Sequence, residues 1–355
     1  MFSRLTRVII MSPFYMLFEF FLIKYIFLIF YPLDDLIVLG LAIFAGLIHL
    51  VPNFFEARKS TVFGRFLSNL SGIWMWASVM FLIDIIIIYV LSVFIHIPTE
   101  INMLLLAIVP VLGVYNYYKA HKLVVHEKTL ILDNLSRDIN ILHLSDIHFG
   151  SVRHKQIIRQ VVDKLKELED TCELVIISGD LADGSSIVEE DDFLAFREVN
   201  IPIIFSPGNH DYYVGIEKVF KACRKAGIII LDNESMEFDG LNIFGLPYVL
   251  YDRKMPKIDE SVVNDDLINI ISYHVPYYWK EFSSMGFDIQ LSGHTHGGQF
   301  YPVVNFTNML FDYNMGLFKD DLGHYLHVST GVGSMDTPMR WGTDCEFVIL
   351  KLKKN

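Results

Sequence analysis

The chain has 355 residues, of which 52% are hydrophobic and 14% aromatic. This composition is too apolar for an ordinary soluble enzyme and indicates that part of the chain lies in a membrane. Basic and acidic residues balance through Tyr118, so the net charge of −12 belongs to the remainder of the chain. That acidic part would repel nucleic acid phosphates, which excludes a nucleic acid partner.

Four apolar stretches come first, and each is close to the ~20 residues that a helix needs to cross a bilayer. They cover residues 13–31, 36–51, 73–97 and 101–118. Basic residues precede the first stretch and follow the second and fourth, whereas acidic residues follow the first and third. By the positive-inside rule, this pattern predicts a multi-pass protein of the cell membrane with its following domain on the cytoplasmic side.

Three charged residues fall inside these stretches: Glu19, Lys24 and Asp84. An unpaired charge at the centre of a membrane helix costs about 2.5 to 3.5 kcal/mol. Two interpretations remain open. The three groups form a relay or a lipid headgroup contact, or they pair with each other or extend to the membrane surface.

The pattern changes at about Leu123 to short apolar runs that alternate with amphipathic segments. We therefore predict a transmembrane domain over residues 1–122 and an α/β domain of layered sheets with flanking helices over residues 123–355. The first two strands, at 124–132 and 139–145, are expected to pair, and a helix is expected at 157–168. Further strands are predicted at 228–231, 241–244, 325–329 and 347–352.

Five polar clusters follow apolar runs in this second domain, where ligands gather in open α/β folds. Carboxylate, imidazole and amide oxygen groups together suit divalent ions such as Mn²⁺, Fe²⁺ and Zn²⁺. Glycines before three of the clusters permit the tight turns that direct such ligands inward. The sequence therefore predicts a site for two metal ions, built from Asp146-Ile147-His148, Gly179-Asp180, Gly208-Asn209-His210-Asp211, His274 and Gly293-His294-Thr295-His296.

This ordered set of motifs resembles the calcineurin-like metallophosphoesterase superfamily over roughly residues 138–352. The resemblance implies a layered β-sandwich flanked by helices. The segments SDIHFG at 145–150, GHTHGGQF at 293–300 and VSTGVG at 328–333 are similar to a membrane-anchored branch. That branch includes bacterial phosphodiesterases and UDP-2,3-diacylglucosamine pyrophosphatases of lipid A synthesis.

The resemblance also implies a role for each residue. Asp146, His148 and His296 would hold the first metal, and Asn209, His274 and His294 the second, with Asp180 bridging the two. His210 would stabilise the transition state or protonate the leaving group. Arg340 is similar to a family arginine that contacts the substrate phosphate, although Asp344-Cys345-Glu346 departs from the proline-glutamate expected there. The alternative for Arg340 is a surface salt bridge. Mn²⁺ is the favoured ion, with Fe²⁺ and Zn²⁺ as alternatives.

The other polar and aromatic residues have less specific roles. Asp183 and Asp211 are expected to orient the ligands. Tyr277, Tyr278 and Trp279 either pack in the core or cover the site. The well-separated cysteines predict buried thiols and no disulfide framework. The remaining histidines of the second domain and its border are expected to be core or surface residues: His121, His126, His143, His154, His324 and His327.

Together these observations predict a membrane-anchored two-metal phosphoesterase. A bridging hydroxide would attack phosphorus in line with the leaving oxygen. The favoured substrate is a lipid-linked phosphate such as UDP-2,3-diacylglucosamine, recognised at the bilayer surface. Phospholipid headgroups, isoprenoid diphosphates, cyclic nucleotides and phosphoproteins are alternative substrates. A non-enzymatic membrane sensor or transport component that only binds such a ligand is a further alternative, and the oligomeric state is left open.

Overall fold

The structure is a computed structural model that describes residues 4–56, 58–248 and 255–355. The chain divides into two compact units. The first holds the residues through His121 together with Ser185–Ile187 and Asp336–Met339, and the second holds the other residues from Lys122 onward. We predicted a single division between residues 122 and 123. The two short segments lie beyond that point in the sequence, and the prediction did not place them in the first unit.

Four long helices make up most of the first unit, and all four are long and apolar enough to cross a membrane. This confirms the predicted number of candidate spans. The helices are longer than the apolar stretches, because helical hydrogen bonding continues into the polar flanking residues. Their bounds are α1 Arg4–Leu28, α2 Asp35–Glu56, α3 Val62–Ser92 and α4 Thr99–His121.

Two of the three charged residues that lie inside the predicted apolar stretches are satisfied within the unit. The buried Glu19 carboxylate accepts hydrogen bonds from Ser78 Oγ at 2.7 Å and Trp74 Nε1 at 3.1 Å. Lys24 Nζ lies 2.8 Å from Asp35 Oδ1 at the start of α2. Both groups thus find partners within the unit, but these partners are Ser78, Trp74 and Asp35 and not the other charged residues of the predicted stretches.

The second unit contains two six-stranded sheets, as predicted for a layered α/β domain. The first sheet has the order β1-β12-β2-β3-β4-β5. Strands β2, β3, β4 and β5 are parallel to one another, so their carboxyl ends lie at one edge. The bounds are β1 Leu123–Leu132, β2 Ile139–Leu144, β3 Leu174–Ser178, β4 Ile203–Ser206, β5 Ile229–Ile230 and β12 Cys345–Lys354.

The predicted pairing of the first two strands is wrong. The final strand, β12, lies between β1 and β2, parallel to the former and antiparallel to the latter. Strand β12 pairs with all ten residues of β1, from Leu123 opposite Cys345 to Leu132 opposite Lys354. Adjacency along the chain suggested a hairpin, but the apolar C-terminal strand, although remote in the sequence, competes for the same edges.

The second sheet has the order β10-β11-β9-β8-β7-β6. Its strands β7, β8, β9 and β11 are parallel. Strands β6 and β10 were not predicted, since their sequences, ESMEF and GLFK, lack the long apolar run of a buried strand. The bounds are β6 Glu234–Phe238, β7 Leu241–Leu246, β8 Ile268–Tyr273, β9 Ile289–Ser292, β10 Gly316–Lys319 and β11 Tyr325–Val328.

The core follows from the alternation of side chains along each strand. In β2, Ile139 and Ile141 belong to the apolar cluster between the two sheets, whereas Leu142 and Leu144 belong to the cluster under the helices. The amphipathic helix predicted at 157–168 is α5, and its apolar face packs in the second of these clusters. The remaining helices have the bounds α5 His154–Leu168, α6 Ile216–Ala226, α7 Trp279–Ser284 and α8 Val303–Leu310.

Candidate metal centre

Every predicted ligand lies just beyond the carboxyl end of a strand. Strands β2, β3 and β4 of the first sheet and β8 and β9 of the second end beside one another. Their buried hydrophobic residues fix each strand, so the polar residue that follows is held at a defined position. The structure therefore brings together seven side chains that are far apart in the sequence: Asp146, His148, Asp180, Asn209, His274, His294 and His296.

Five of these seven residues adopt a left-handed backbone conformation. Their φ angles are 52° for Asp146, 53° for His148, 55° for Asp180, 71° for His294 and 51° for His296. Such a conformation costs about 1 to 3 kcal/mol for a residue other than glycine, and it concentrates at functional sites. The surrounding structure thus holds the ligand loops in conformations that these residues would not adopt alone.

Asp146, His148 and His296 form what we call the first cluster. All three side chains are buried. Asp146 Oδ1 lies 3.6 Å from His148 Nε2 and 3.3 Å from His296 Nε2, and the two Nε2 atoms are 2.9 Å apart. Three ligand atoms of the types that divalent transition metals prefer therefore face one point.

Asp180, His274 and His294 form the second cluster. Asp180 Oδ2 lies 3.0 Å from His274 Nε2. Asn209 joins this cluster, because its Oδ1 is 2.9 Å from His294 Nδ1. His274 Nδ1 donates to the Ser178 carbonyl at 2.8 Å, which leaves Nε2 as its ligand atom.

The two clusters share their carboxylates. Asp180 Oδ2 is also 4.0 Å from His148 Nε2 in the first cluster, and Asp146 Oδ1 is 3.9 Å from His274 Nε2 in the second. Asp146 Oδ1 is buried and accepts no hydrogen bond from the described residues, although three histidine nitrogens lie within 4 Å of it. Buried polar atoms of this kind are normally satisfied, so this atom fits a site that binds metal ions.

Electrostatic interactions across the clusters are strong. Burial lowers the pKa of His274, but the Asp180 and Asp146 carboxylates outweigh it and raise that pKa to about 10. Burial, reinforced by the charge of His274, lowers the pKa of His294 to about 4. Burial would raise the pKa of Asp146, but the neighbouring histidines, His296 foremost, hold it well below its usual value. Bound cations would take the place of these protons.

Asp211 supports the ligand loops from behind, as predicted. This fully buried carboxylate accepts hydrogen bonds from the backbone N–H groups of Asp180 at 2.9 Å, Ala182 at 2.8 Å and Gly208 at 2.8 Å. A side chain at Gly208 would overlap the Asp180 carboxylate, so only glycine fits there. Asp211 thereby fixes the loops after β3 and β4 relative to each other.

His210 lies at the exposed side of the clusters and is only partly buried. Its backbone N–H donates to Asp180 Oδ1 at 2.7 Å, and its Nδ1 lies 2.7 Å from the Asp183 carbonyl. A carbonyl only accepts, so Nδ1 carries the proton and Nε2 is the nitrogen that can exchange one with a ligand. This arrangement is compatible with the predicted proton-transfer role, and it shows Asp183 orienting a histidine through its backbone oxygen.

The structure places Arg340 behind the first cluster. Its guanidinium is fully buried and donates to the carbonyls of Gly333 at 2.6 Å and His296 at 3.2 Å. One of its nitrogens also lies 3.1 Å from His296 Nδ1. Arg340 is therefore neither a surface salt bridge nor an exposed group, and the contact with a substrate phosphate stays a prediction.

The other predicted histidine and cysteine assignments agree with the structure. His143 is buried between the sheets, where its Nδ1 lies 2.7 Å from His327 Nδ1 and its Nε2 lies 2.6 Å from Ser178 Oγ. The six histidines expected to be core or surface residues lie outside both clusters. All three cysteines are buried, and none forms a disulfide within the part of the chain that the structure describes. Trp279 is buried, whereas Tyr277 is 47% exposed at the rim of the site.

Two residues that support the ligands were not predicted. Ser145 Oγ donates to Asp146 Oδ2 at 2.6 Å, and Thr295 Oγ1 donates to the Asn314 carbonyl at 2.5 Å. Ser145 and Thr295 lie directly beside a ligand in the sequence, and Asn314 supports Thr295 from a remote position. Ser145 directly precedes Asp146 in the SDIH motif, which could have indicated its role, whereas nothing in the sequence marks Asn314.

Comparison with known proteins identifies this domain. The family model for calcineurin-like phosphoesterases matches residues 139–298, which include all seven predicted ligands. An uncharacterized metallophosphoesterase of Helicobacter pylori is 30% identical over 237 residues, which are 64% of this chain and 63% of that protein. This chain thus spans less than two thirds of that relative.

Two further relatives show the same relationship. A metallophosphoesterase of Aquifex aeolicus is 29% identical over 68% of this chain and 96% of its own length. A zebrafish transmembrane protein with a metallophosphoesterase domain is 26% identical over 72% of this chain and 63% of its own length. The matches confirm the predicted class of the second unit, a metal-dependent phosphoesterase domain. This chain belongs to the calcineurin-like phosphoesterase family.

Proposed function

We propose that this protein is a membrane-bound phosphoesterase that uses two divalent metal ions to hydrolyse a phosphodiester or pyrophosphate bond in a lipid-linked substrate. The observation that carries the proposal is the pair of adjacent ligand clusters, which share Asp146 and Asp180 and contain the buried Asp146 Oδ1, an atom that accepts no hydrogen bond from the residues that the structure describes. Two metal ions held in adjacent clusters suit the clamping of a phosphoryl group during in-line displacement.

The ligand atoms can be assigned to two separate ions. Asp146, His148 and His296 would hold one ion, and Asn209, His274 and His294 the other, with Asp180 between them. When bound, the ions would activate a water molecule at neutral pH and neutralise charge on the phosphate. Mn²⁺ suits these oxygen and imidazole ligands best, with Fe²⁺ and Zn²⁺ as alternatives.

The protein would contribute positioning and proton transfer. His210, protonated on both ring nitrogens, would donate its Nε2 proton to the leaving oxygen and become a neutral imidazole whose Nδ1–H stays bonded to the Asp183 carbonyl. The Asp211 carboxylate would keep the loop of Asp180 and the loop of Asn209 at a constant separation. Both functions depend on residues that the fold already holds in place.

The four apolar helices favour a substrate that is itself in the membrane. A simple anchor needs one span, and this chain has four candidate spans. Only Lys122 separates α4 from the first strand of the phosphoesterase domain. Among lipid-linked phosphates we favour UDP-2,3-diacylglucosamine, whose pyrophosphate would lie at the cytoplasmic surface. Phospholipid headgroups and isoprenoid diphosphates are the nearest alternatives.

The test is hydrolysis by the purified full-length protein in detergent after chelation and reloading with Mn²⁺, Fe²⁺ or Zn²⁺. Substrates are UDP-2,3-diacylglucosamine, a phospholipid, an isoprenoid diphosphate, a cyclic nucleotide, a phosphopeptide and a soluble aryl phosphodiester. Asn209→Ala and His210→Ala are the test variants. His324→Ala is the matched control, because His324 bonds to Asp320 away from the clusters.

We expect metal-dependent release of UMP that the two test variants lose and the control keeps. Hydrolysis of the aryl phosphodiester without UMP release would retain the two-metal mechanism and reject this lipid. Absence of hydrolysis of every substrate with metal-loaded protein would favour the ligand-binding sensor instead. A fusion reporter at the C-terminus tests the cytoplasmic placement, and a periplasmic signal would exclude nucleotide-linked substrates.

A further inference from the structure

Helix α8 presents three large apolar side chains to the solvent. Phe306 is 60% exposed, Met309 83% and Leu310 75%. Their i, i+3, i+4 spacing puts them on one face of the helix. None of the eight residues of α8, VVNFTNML, is charged. We call these three side chains the α8 patch. Exposed apolar groups that are contiguous in this way mark a surface that binds another molecule or a membrane.

Hydrogen bonds of Asn314 connect helix α8, which carries the α8 patch, to a ligand loop of the candidate metal centre. Asn314 Nδ2 donates to Asn308 Oδ1 at 2.7 Å and to Thr307 Oγ1 at 3.1 Å, both on α8. The carbonyl of the same Asn314 accepts from Thr295 Oγ1, and Thr295 lies between the ligands His294 and His296. The patch therefore has a fixed position relative to the ligand loop.

Aromatic side chains continue the apolar surface toward the second cluster. The Phe311 ring, directly after α8, stacks on the Tyr277 ring at 5.8 Å with an interplanar angle of 20°. The Phe311 ring also lies 6.0 Å from the ring of His294. An apolar path thus leads from the patch to a predicted metal ligand.

We infer that α8 is a lipid-docking helix, which inserts Phe306, Met309 and Leu310 into the bilayer interface beside the candidate metal centre. The four candidate spans precede this domain in the chain, and Lys122 connects α4 directly to its first strand, so the domain stays within reach of a bilayer. A bilayer interface accepts aliphatic and aromatic side chains without needing matched polar partners. This inference rests on the membrane placement in the proposed function, and it adds a contact that the spans do not supply.

The experiment places a fluorescent probe at Met309→Cys in the full-length protein, reconstituted in lipid nanodiscs. The three native cysteines are buried, so the introduced cysteine is labelled selectively. Leu322→Cys is the matched control: Leu322 is also 83% exposed, but it lies in the turn between β10 and β11 beside two aspartates. Nanodiscs are made with and without lipids brominated in the upper part of the acyl chain.

We expect brominated lipids to reduce the fluorescence at position 309 roughly two-fold, since interfacial side chains reach ~5 to 10 Å into the headgroup and acyl boundary. The probe at position 322 should not respond to them and should be quenched by aqueous iodide. Quenching of the 309 probe by iodide alone would overturn the inference. Shielding of that probe from both quenchers would also overturn it, because a protein surface would then cover the patch.

Hydrolysis of the soluble aryl phosphodiester by each labelled variant separates this result from the proposed function. Neither labelled position belongs to the ligand clusters, so both variants should hydrolyse it at the unlabelled rate. Retained hydrolysis without lipid quenching at position 309 would reject the docking helix alone. Loss of hydrolysis in the unlabelled protein would reject the proposed function and leave the quenching result interpretable.

Discussion

The two ligand clusters are enclosed differently. In the first, Asp146, His148 and His296 are all buried, and Arg340 and Ser145 contact the ligands from behind. In the second, His294 is partly exposed, and the neighbouring groups include His210 and the rim aromatics. All ligands of the first cluster are buried, whereas the second cluster has one ligand, His294, that reaches the surface.

This difference suggests different roles for two metals of one site. An ion in the first cluster would be held by buried ligands with their own hydrogen-bonded support, which favours tight binding. An ion in the second cluster would keep a side toward solvent, where a phosphate can approach. Four sets of variants test how far this contrast extends.

The largest effect is expected from the carboxylate that both clusters approach. Asp180→Asn should lower turnover by at least about 10³-fold, because the charge that holds two cations together is lost. Metal content measured by mass spectrometry should fall for both ions. Asp288→Asn is the control, because Asp288 is a partly buried aspartate outside the clusters whose carboxylate accepts from the Asn269 backbone N–H. A variant that keeps both ions and turns over normally would remove Asp180 from the site.

The next effect separates the clusters. His294→Ala should reduce turnover about 10²-fold while one ion stays bound. His296→Ala should lose the more tightly held ion. Titration of metal into chelated protein by calorimetry gives the number of sites and their affinities. An equal loss of metal affinity in the two variants would show that the first and second clusters do not differ in affinity.

A smaller effect is expected behind the first cluster. Arg340→Met should weaken metal binding there about 10- to 100-fold, as for other outer partners of ligands. It should also lower the free energy of unfolding by about 3 kcal/mol, because the buried carbonyls of Gly333 and His296 lose their donor. If Arg340 instead contacts the substrate phosphate, the variant would raise KM and leave unfolding and metal binding unchanged.

The smallest effect concerns the histidine pair between the sheets. Burial lowers the pKa of His143 to about 3 and that of His327 well below its usual value. Unfolded histidine titrates near ~6.5, so the unfolded chain binds more protons below that pH. The stability of the chelated protein should therefore fall as pH decreases from ~6.5 toward the lowered pKa values. The double variant H143L/H327L should show a weaker pH dependence of its thermal unfolding midpoint; an unchanged dependence would reject this origin.

Local pattern and chemistry were sufficient to predict much of the molecule. The apolar stretches predicted four long helices, and motifs at strand ends predicted the residues that the structure brings into two clusters. The same reasoning failed for the pairing of β1 and β2, because adjacency in the chain cannot reveal the insertion of β12 between them. The role of Asn314 was also beyond prediction, since that residue belongs to no motif and reaches Thr295 only through tertiary packing.

The ten-residue pairing of β1 with β12 has a mechanical consequence. Any pull transmitted by the last candidate membrane-spanning helix enters the phosphoesterase domain at Lys122 and runs along β1. Because β1 is hydrogen-bonded to β12 along its whole length, separating β1 from the sheet would require the whole ten-residue ladder to open.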